Sequence, residues 1–231
     1  MRMGVVADIS AAMRTLLPAG AAVAMAPVVR NTDGLWPTEE VAMGRAVPAR
    51  VAEFAAGRRA ARRAMAELGL PPSAIPMRAD RSPEWPEAVT GSITHTGALA
   101  MAAVAPVTAL AAVGIDAEPD EPLPAGVEEI VLNPEERRWC AAMAHPARAA
   151  RLIFVAKEAA YKCQYALTQA LFGFDTLDIA VGAGDRLTAT FTRKVAPFAA
   201  GARIEGRAAR SGGLLLAAFC VTAQVGAAGE G

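Results

Sequence analysis

Apolar runs and the breaks between them divide the chain into alternating strands and helices. Residues 21–25, Ala-Ala-Val-Ala-Met, follow Pro18 and Gly20 and form a short continuous apolar run, which predicts a buried strand. The polar residues 30–39 predict an exposed connection. Pro48 then opens a helix that Gly69 closes, because Pro suits the first helical turn and Gly the position past the last. On that helix Val51, Phe54, Ala61, Met65 and Leu68 form one apolar stripe at about 100° per residue. Pro71, Pro72, Pro76, Pro83 and Pro86 predict an irregular loop over 70–87, and a long loop within a compact domain is often functional. A Gly-Ser-Thr-rich turn is expected at 91–97, then a strand over 98–105. Pro106 turns the chain and 107–118 returns, which predicts a hairpin.

The second half opens on an acidic, Pro-rich turn at 119–124. Asn133-Pro134 predicts a short helix reaching Met143, and Pro146 a longer one reaching about Leu167. Strands are expected over 171–181, 187–192, 202–205 and 214–221, with a frayed tail at 224–231. Phe54 to Arg62 aligns weakly with Phe154 to Lys162 at a shift of 100 residues. That echo implies an α+β fold of two similar α/β halves, 1–118 and 119–231, facing each other across a cleft.

Some polar residues break these patterns. Arg58 falls in the apolar stripe of the first long helix and Arg62 at its edge, while Arg59 and Arg63 point outward. An inward arginine needs an anion, supplied by an internal acid or by a ligand. Phe154, Tyr161 and Tyr165 share a face of the second long helix with Glu158 between them, flanked by Lys157 and followed by Lys162. Glu158 and Lys162 suit either an i,i+4 ion pair on a solvated edge or a site. Asp116 and Glu118 end a buried strand two residues apart, so both point to one face and Ala117 to the other. Two such acids repel unless a proton or cation lies between them, and a hard divalent ion such as Mg²⁺ suits their oxygens. The alternative is that the strand has ended and both acids are solvated. His95, one of two histidines, sits among donors in Ser92-Ile93-Thr94-His95-Thr96-Gly97, a setting that suits an anion.

Composition narrows the choice. The chain has 231 residues and is 54% hydrophobic, enough for a core in one large or two small domains. Its net charge of zero argues against general binding to nucleic acid or a membrane surface. Cys140, Cys163 and Cys220 show no metal spacing and suggest reduced thiols in a cytoplasm. Residues 14–26 look like a signal peptide, but Asp8 precedes them and Pro18 and Gly20 interrupt the apolar core. No segment has the ~18 continuous apolar residues that would span a bilayer. Cations and donors for phosphate, with acids for a metal, make a parts list for phosphoryl-group chemistry.

The order of the pieces carries a resemblance. Gly57-Arg58-Arg59-Ala60-Ala61-Arg62 comes first, then Trp85-Pro86-Glu87-Ala88-Val89-Thr90-Gly91-Ser92-Ile93-Thr94-His95. Gly114-Ile115-Asp116-Ala117-Glu118 and Lys157-Glu158-Ala159-Ala160-Tyr161-Lys162 follow, about forty residues apart. Over residues 16–181 the chain resembles the 4′-phosphopantetheinyl transferases, in the branch of the enterobactin synthetase component D enzymes. The resemblance implies a pseudo-twofold pair of α/β halves with coenzyme A in the cleft. It implies transfer of the phosphopantetheine arm of coenzyme A to a serine of an apo acyl or peptidyl carrier protein, releasing adenosine 3′,5′-bisphosphate. Siderophore, nonribosomal peptide and polyketide carriers are the expected partners of this branch, and a cytoplasmic monomer is expected.

The same resemblance assigns residues. Asp116, Glu118 and Glu158 match magnesium ligands, and Glu158 also the base for the serine. Lys157 and Lys162 match phosphate-contacting lysines, with Lys162 on the pyrophosphate. His95 matches the contact to the 3′-phosphate, with Ser92 and Thr94 beside it, and Arg50 and Arg58 match arginines near the same nucleotide. Arg62 matches the second arginine of its motif, and Arg78 and Arg81 lie in the loop that contacts the nucleotide. Val155 stands where many members have serine, Thr96 where cysteine is common, and Ala166 where proline is usual. Ala117 has no side-chain ligand to give. Two alternatives stand beside the transferase: a coenzyme A or nucleotide-binding regulator without turnover, and a metal-dependent phosphohydrolase, which two histidines disfavour.

Overall fold

Proline sets the start of four helices: Pro37, Pro48, Pro134 and Pro146 each stand in a first turn, where no helical N–H bond is lost. The computed structural model describes residues 3–30 and 33–223. The chain runs α1 (Met3–Leu16), β1 (Ala22–Pro27), α2 (Pro37–Glu40), α3 (Pro48–Glu67), β2 (Val89–His95), β3 (Leu99–Pro106) and β4 (Leu110–Pro119). It continues through α4 (Val127–Val131), α5 (Pro134–Ala141), α6 (Pro146–Thr168), β5 (Leu177–Val181), β6 (Arg186–Phe191), β7 (Arg203–Ser211) and β8 (Leu214–Thr222).

Two antiparallel sheets result, ordered β1-β3-β2 and β4-β8-β7-β6-β5. Strand alternation gives each sheet two apolar faces. From the first sheet Ala22, Ala24, Ala26, Ala100 and Ala102 face α3, which answers with Ala56, Ala60, Ala61 and Ala64. Small residues on both surfaces let helix and sheet approach closely, so the alanine richness of the sequence is a packing device. The intervening residues Val23, Met25, Leu99 and Met101 turn to a second core shared with Val113, Ile115, Leu214 and Leu216 of the other sheet. Ile9, Met13 and Leu16, one stripe of α1, complete that core. A third core lies between α6 and the five-stranded sheet, through Leu215, Ala217, Phe219, Ile153, Val155 and Ala159.

The α+β expectation of two helix-on-sheet halves holds, and a second likeness between them appears. Glu39 accepts the Trp36 N–H at 3.0 Å, and Glu136 accepts the Asn133 N–H at 2.9 Å, each from the third position of its short helix. Glu39 also accepts the Ile75 N–H at 2.8 Å and pairs with Arg62 of α3 at 2.6 Å. Glu136 accepts the Ile179 N–H at 2.9 Å and pairs with Lys157 of α6 at 2.8 Å. In each half a buried glutamate ties a short helix, a long helix and a later segment together.

Several expectations need correction. The hairpin over 98–118 does not form: β3 pairs with β1 and β2, while β4 pairs with β8. The turn expected at 91–97 is mostly strand, since β2 runs to His95 and the β2–β3 turn follows it. The exposed connection at 30–39 contains α2 and the fully buried Glu39. Helices α1 and α4 carry no counterpart in the sequence reading. Strand β7 reaches Ser211, six residues beyond the 205 expected, and β5 begins only at Leu177. The change of sheet falls between β3 and β4, ahead of the division expected after residue 118. The expected fraying of the tail at 224–231 lies outside the described residues.

Candidate active site

The two sheets meet at edge strands β2 and β4, and the candidate site lies along that seam. On β4 the residues alternate: Val113, Ile115 and Ala117 face the shared core, and Asp116 and Glu118 face a cavity. Helix α6 brings Phe154, Glu158 and Lys162 to the same cavity, spaced one turn apart on one face. Helix α3 brings Arg50, Glu53, Phe54 and Arg58; β2 brings Thr94 and His95; the 70–87 loop brings Arg81 and Pro83. The cavity is about 300 Å³. An adjoining cavity of about 520 Å³ shares Arg81, Pro83, Ile93 and Lys162 and adds Arg78, Ser92, Trp85, Tyr161 and Tyr165.

Asp116 is the centre of the arrangement and is 3% exposed. Its Oδ1 accepts the Thr94 hydroxyl at 2.8 Å and the Lys162 ammonium at 2.7 Å. Its Oδ2 is buried without a hydrogen-bond partner. Burial raises the Glu158 carboxyl above its ordinary range, with Lys162 opposing and Asp116 adding. Burial also raises Glu118, helped by repulsion from Asp116 and opposed by Arg151, 3.5 Å away. Three acids thus line one cavity, and one of their oxygens, Asp116 Oδ2, lacks a hydrogen-bond donor, a donor set that suits a hard cation. Among the described residues no three His, Cys, Asp or Glu side chains are already gathered tightly enough to hold a metal.

The cationic side is built from α3. Arg58, 6% exposed, lies over the Phe54 ring at 3.7 Å and donates Nε to the Ile75 carbonyl at 2.9 Å. Burial lowers its pKa to about 10, against which Glu39 acts. Its direct hydrogen-bond partners are the backbone carbonyls of Ile75 and Pro76. Arg50 lies 3.1 Å from His95 Nε2 and 3.4 Å from Glu53. Burial lowers the His95 pKa, so the ring favours its neutral form, with Glu53 opposing. Arg81 takes a left-handed φ of 72° in a turn fixed by Asp80, which accepts the Tyr165 hydroxyl and the Ser82 N–H.

The structure therefore brings Arg50, Arg58, Arg81, Thr94, His95, Asp116, Glu118, Glu158 and Lys162 to one cavity, with Arg78 and Ser92 next door. It does not bring Lys157 or Arg62 to either of these cavities. Lys157 gives its three donors to Glu136 at 2.8 Å, the Val131 carbonyl at 2.8 Å and the Phe174 carbonyl at 2.9 Å, leaving none for a phosphate. Arg62 pairs with Glu39 and lies over Trp36. Ser92 and Thr94 were expected to face the nucleotide, but Ser92 Oγ accepts the Ile115 N–H at 3.0 Å and Thr94 binds Asp116. Sequence reasoning missed Glu39 and Glu136; their shared signal is x-Pro-x-Glu, at Trp36-Pro37-Thr38-Glu39 and Asn133-Pro134-Glu135-Glu136.

Comparison with known proteins gives the family. Residues 38–105 match the 4′-phosphopantetheinyl transferase N-terminal domain, and residues 112–217 match the 4′-phosphopantetheinyl transferase superfamily. The chain is 42% identical over 207 residues to 4′-phosphopantetheinyl transferase Svp of Streptomyces mobaraensis, covering 85% of this chain and 82% of that protein. It is 39% identical over 185 residues to 4′-phosphopantetheinyl transferase Npt of Nocardia iowensis, covering 78% and 82%. It is also 39% identical over 163 residues to 4′-phosphopantetheinyl transferase PptT of Mycobacterium tuberculosis, covering 68% and 70%. The helices, sheets and seam described above are those of an enzyme that belongs to the 4′-phosphopantetheinyl transferase superfamily.

Proposed function

We propose that the chain transfers the phosphopantetheine arm of coenzyme A to a serine hydroxyl of an apo carrier protein and releases adenosine 3′,5′-bisphosphate. The observation that carries this reading is the buried, unpartnered Oδ2 of Asp116 in a cavity shared with Lys162, Arg58 and Arg50. Arg50, Arg58, His95 and Arg81 would hold the nucleotide phosphates, and Lys162 the pyrophosphate. Asp116, Glu118 and Glu158 would hold Mg²⁺, which when bound would neutralise charge on the pyrophosphate. The serine oxygen attacks the phosphorus that carries the pantetheine. The new O–P bond forms as the phosphoanhydride bond breaks, and the serine proton passes to Glu158. Burial that raises the Glu158 pKa suits it to take that proton. The branch resemblance makes siderophore, nonribosomal peptide or polyketide carriers the acceptors.

Chromatographic detection of adenosine 3′,5′-bisphosphate, with coenzyme A, Mg²⁺ and an apo carrier protein, tests the reading. Asp116→Ala should abolish its release while calorimetry still detects coenzyme A binding through the arginines. Undiminished release by this variant at limiting Mg²⁺ would refute the assignment of Asp116.

A further inference from the structure

We propose that Thr94 is the positioning residue that presents Asp116 to the metal ion. This inference rests on the metal reading above and adds a role for β2. A carboxylate on its own rotates broadly about its terminal torsion, so neither oxygen has a fixed direction. Here the rotation is stopped. Thr94 and Lys162 both donate to Oδ1, at 2.8 and 2.7 Å, and Oδ2 is left buried and bare. Thr94 is itself 5% exposed and β-branched, so its χ1 is restricted and its hydroxyl is a stiff donor.

The backbone explains why the hydroxyl stays there. Strands β2 and β4 belong to different sheets and are not ladder neighbours. Side chains on one face of β2 join them instead: Ser92 Oγ takes the Ile115 N–H and, two residues on, Thr94 takes Asp116. Ile93, between them, points the other way, against α3 at Gly57. The Ser92 bond sets how β2 lies on β4, and the Thr94 bond converts that placement into the orientation of one carboxylate. Groups that hold a ligand's other oxygen fix its geometry and tune its affinity.

Manganese serves as the probe. Free Mn²⁺ is followed by electron paramagnetic resonance during titration of the protein–coenzyme A complex, for wild type, Thr94→Val, Thr94→Ser, Thr94→Cys and Asp116→Asn. Thr94→Val keeps the shape and loses the donor; it should weaken Mn²⁺ about 10-fold or more. Thr94→Ser should restore most of that affinity. Thr94→Cys, a weak donor of similar volume, should fall between them and carries the comparison if the valine variant does not fold. Metal-free coenzyme A affinity, by calorimetry, should be unchanged in every Thr94 variant. Wild-type Mn²⁺ affinity in Thr94→Val or Thr94→Cys, with loss in Asp116→Asn, would overturn the positioning role alone. Failure of serine to rescue, or an equal loss of metal-free coenzyme A affinity, would also overturn it. Unchanged Mn²⁺ affinity in Asp116→Asn would overturn the metal reading and this inference together.

Discussion

Lys157 and Lys162 stand five residues apart on α6 and serve different ends. Lys162 reaches Asp116 in the cavity, whereas Lys157 is 2% exposed and locked to Glu136 and two carbonyls. Removing one member of a buried ion pair leaves the other charge uncompensated. Lys157→Met is therefore expected to cost about 3–5 kcal/mol in urea unfolding. Coenzyme A affinity of the folded variant should stay near wild type. A large loss of coenzyme A affinity with little loss of stability would return Lys157 to the phosphates. Asp116, Glu118, Glu158 and Lys162 stood out in the sequence because each breaks an apolar pattern, and His95 because it sits among hydroxyl donors; the structure brings all five to one cavity. The destinations of Lys157 and Arg62 were not, because their partners Glu136 and Glu39 lie in short helices whose burial depends on distant segments, at Ile179 and Ile75.

At the scale of elements, the contact of α6 with β4 places Glu158 and Lys162 over Asp116. Gly114 makes it possible. A Cβ there would lie 2.1 Å from the Ala159 carbonyl oxygen and 2.3 Å from the Cys163 nitrogen. Gly114→Ala must push the helix off the strand and should destabilise the fold by about 3 kcal/mol, the upper part of the overpacking range. Cys163 reports the displacement. Burial holds its thiol well above the ordinary range, and burial pushes Cys220 up to about 12. Because the thiolate is the reactive form, native alkylation should be slow at pH 8 and accelerate as pH rises. Gly114→Ala should speed Cys163 alkylation at pH 8; an unchanged rate would mean that the helix has not moved. The helix starts were legible from proline. The partner of β4 was not, since many strands here are Ala-rich and β8 lies about a hundred residues away. Treating 91–97 as a turn also hid the alternation that sends Ser92 and Thr94 to β4 and His95 to α3.

Across the whole molecule, a net charge of zero is unevenly laid out. Arginines of α3 and the 70–87 loop face acids of β4 and α6 across the seam between the sheets. A weak repeat foreshadowed the halves and a cleft between them, but not which strands form the seam, because that depends on two edge strands meeting through side chains. On the proposed reading, that arrangement would set a phosphate-binding wall opposite a metal-binding wall, as phosphoryl transfer to an incoming hydroxyl requires. Intact-mass spectrometry of an apo carrier protein, incubated with coenzyme A, Mg²⁺ and this protein, tests that account most directly. The account predicts that the carrier gains the mass of one phosphopantetheine, on its serine, and gains none when Mg²⁺ is chelated. A carrier of unchanged mass, in a mixture where calorimetry shows coenzyme A bound, would make the cleft a binding site without turnover and contradict it.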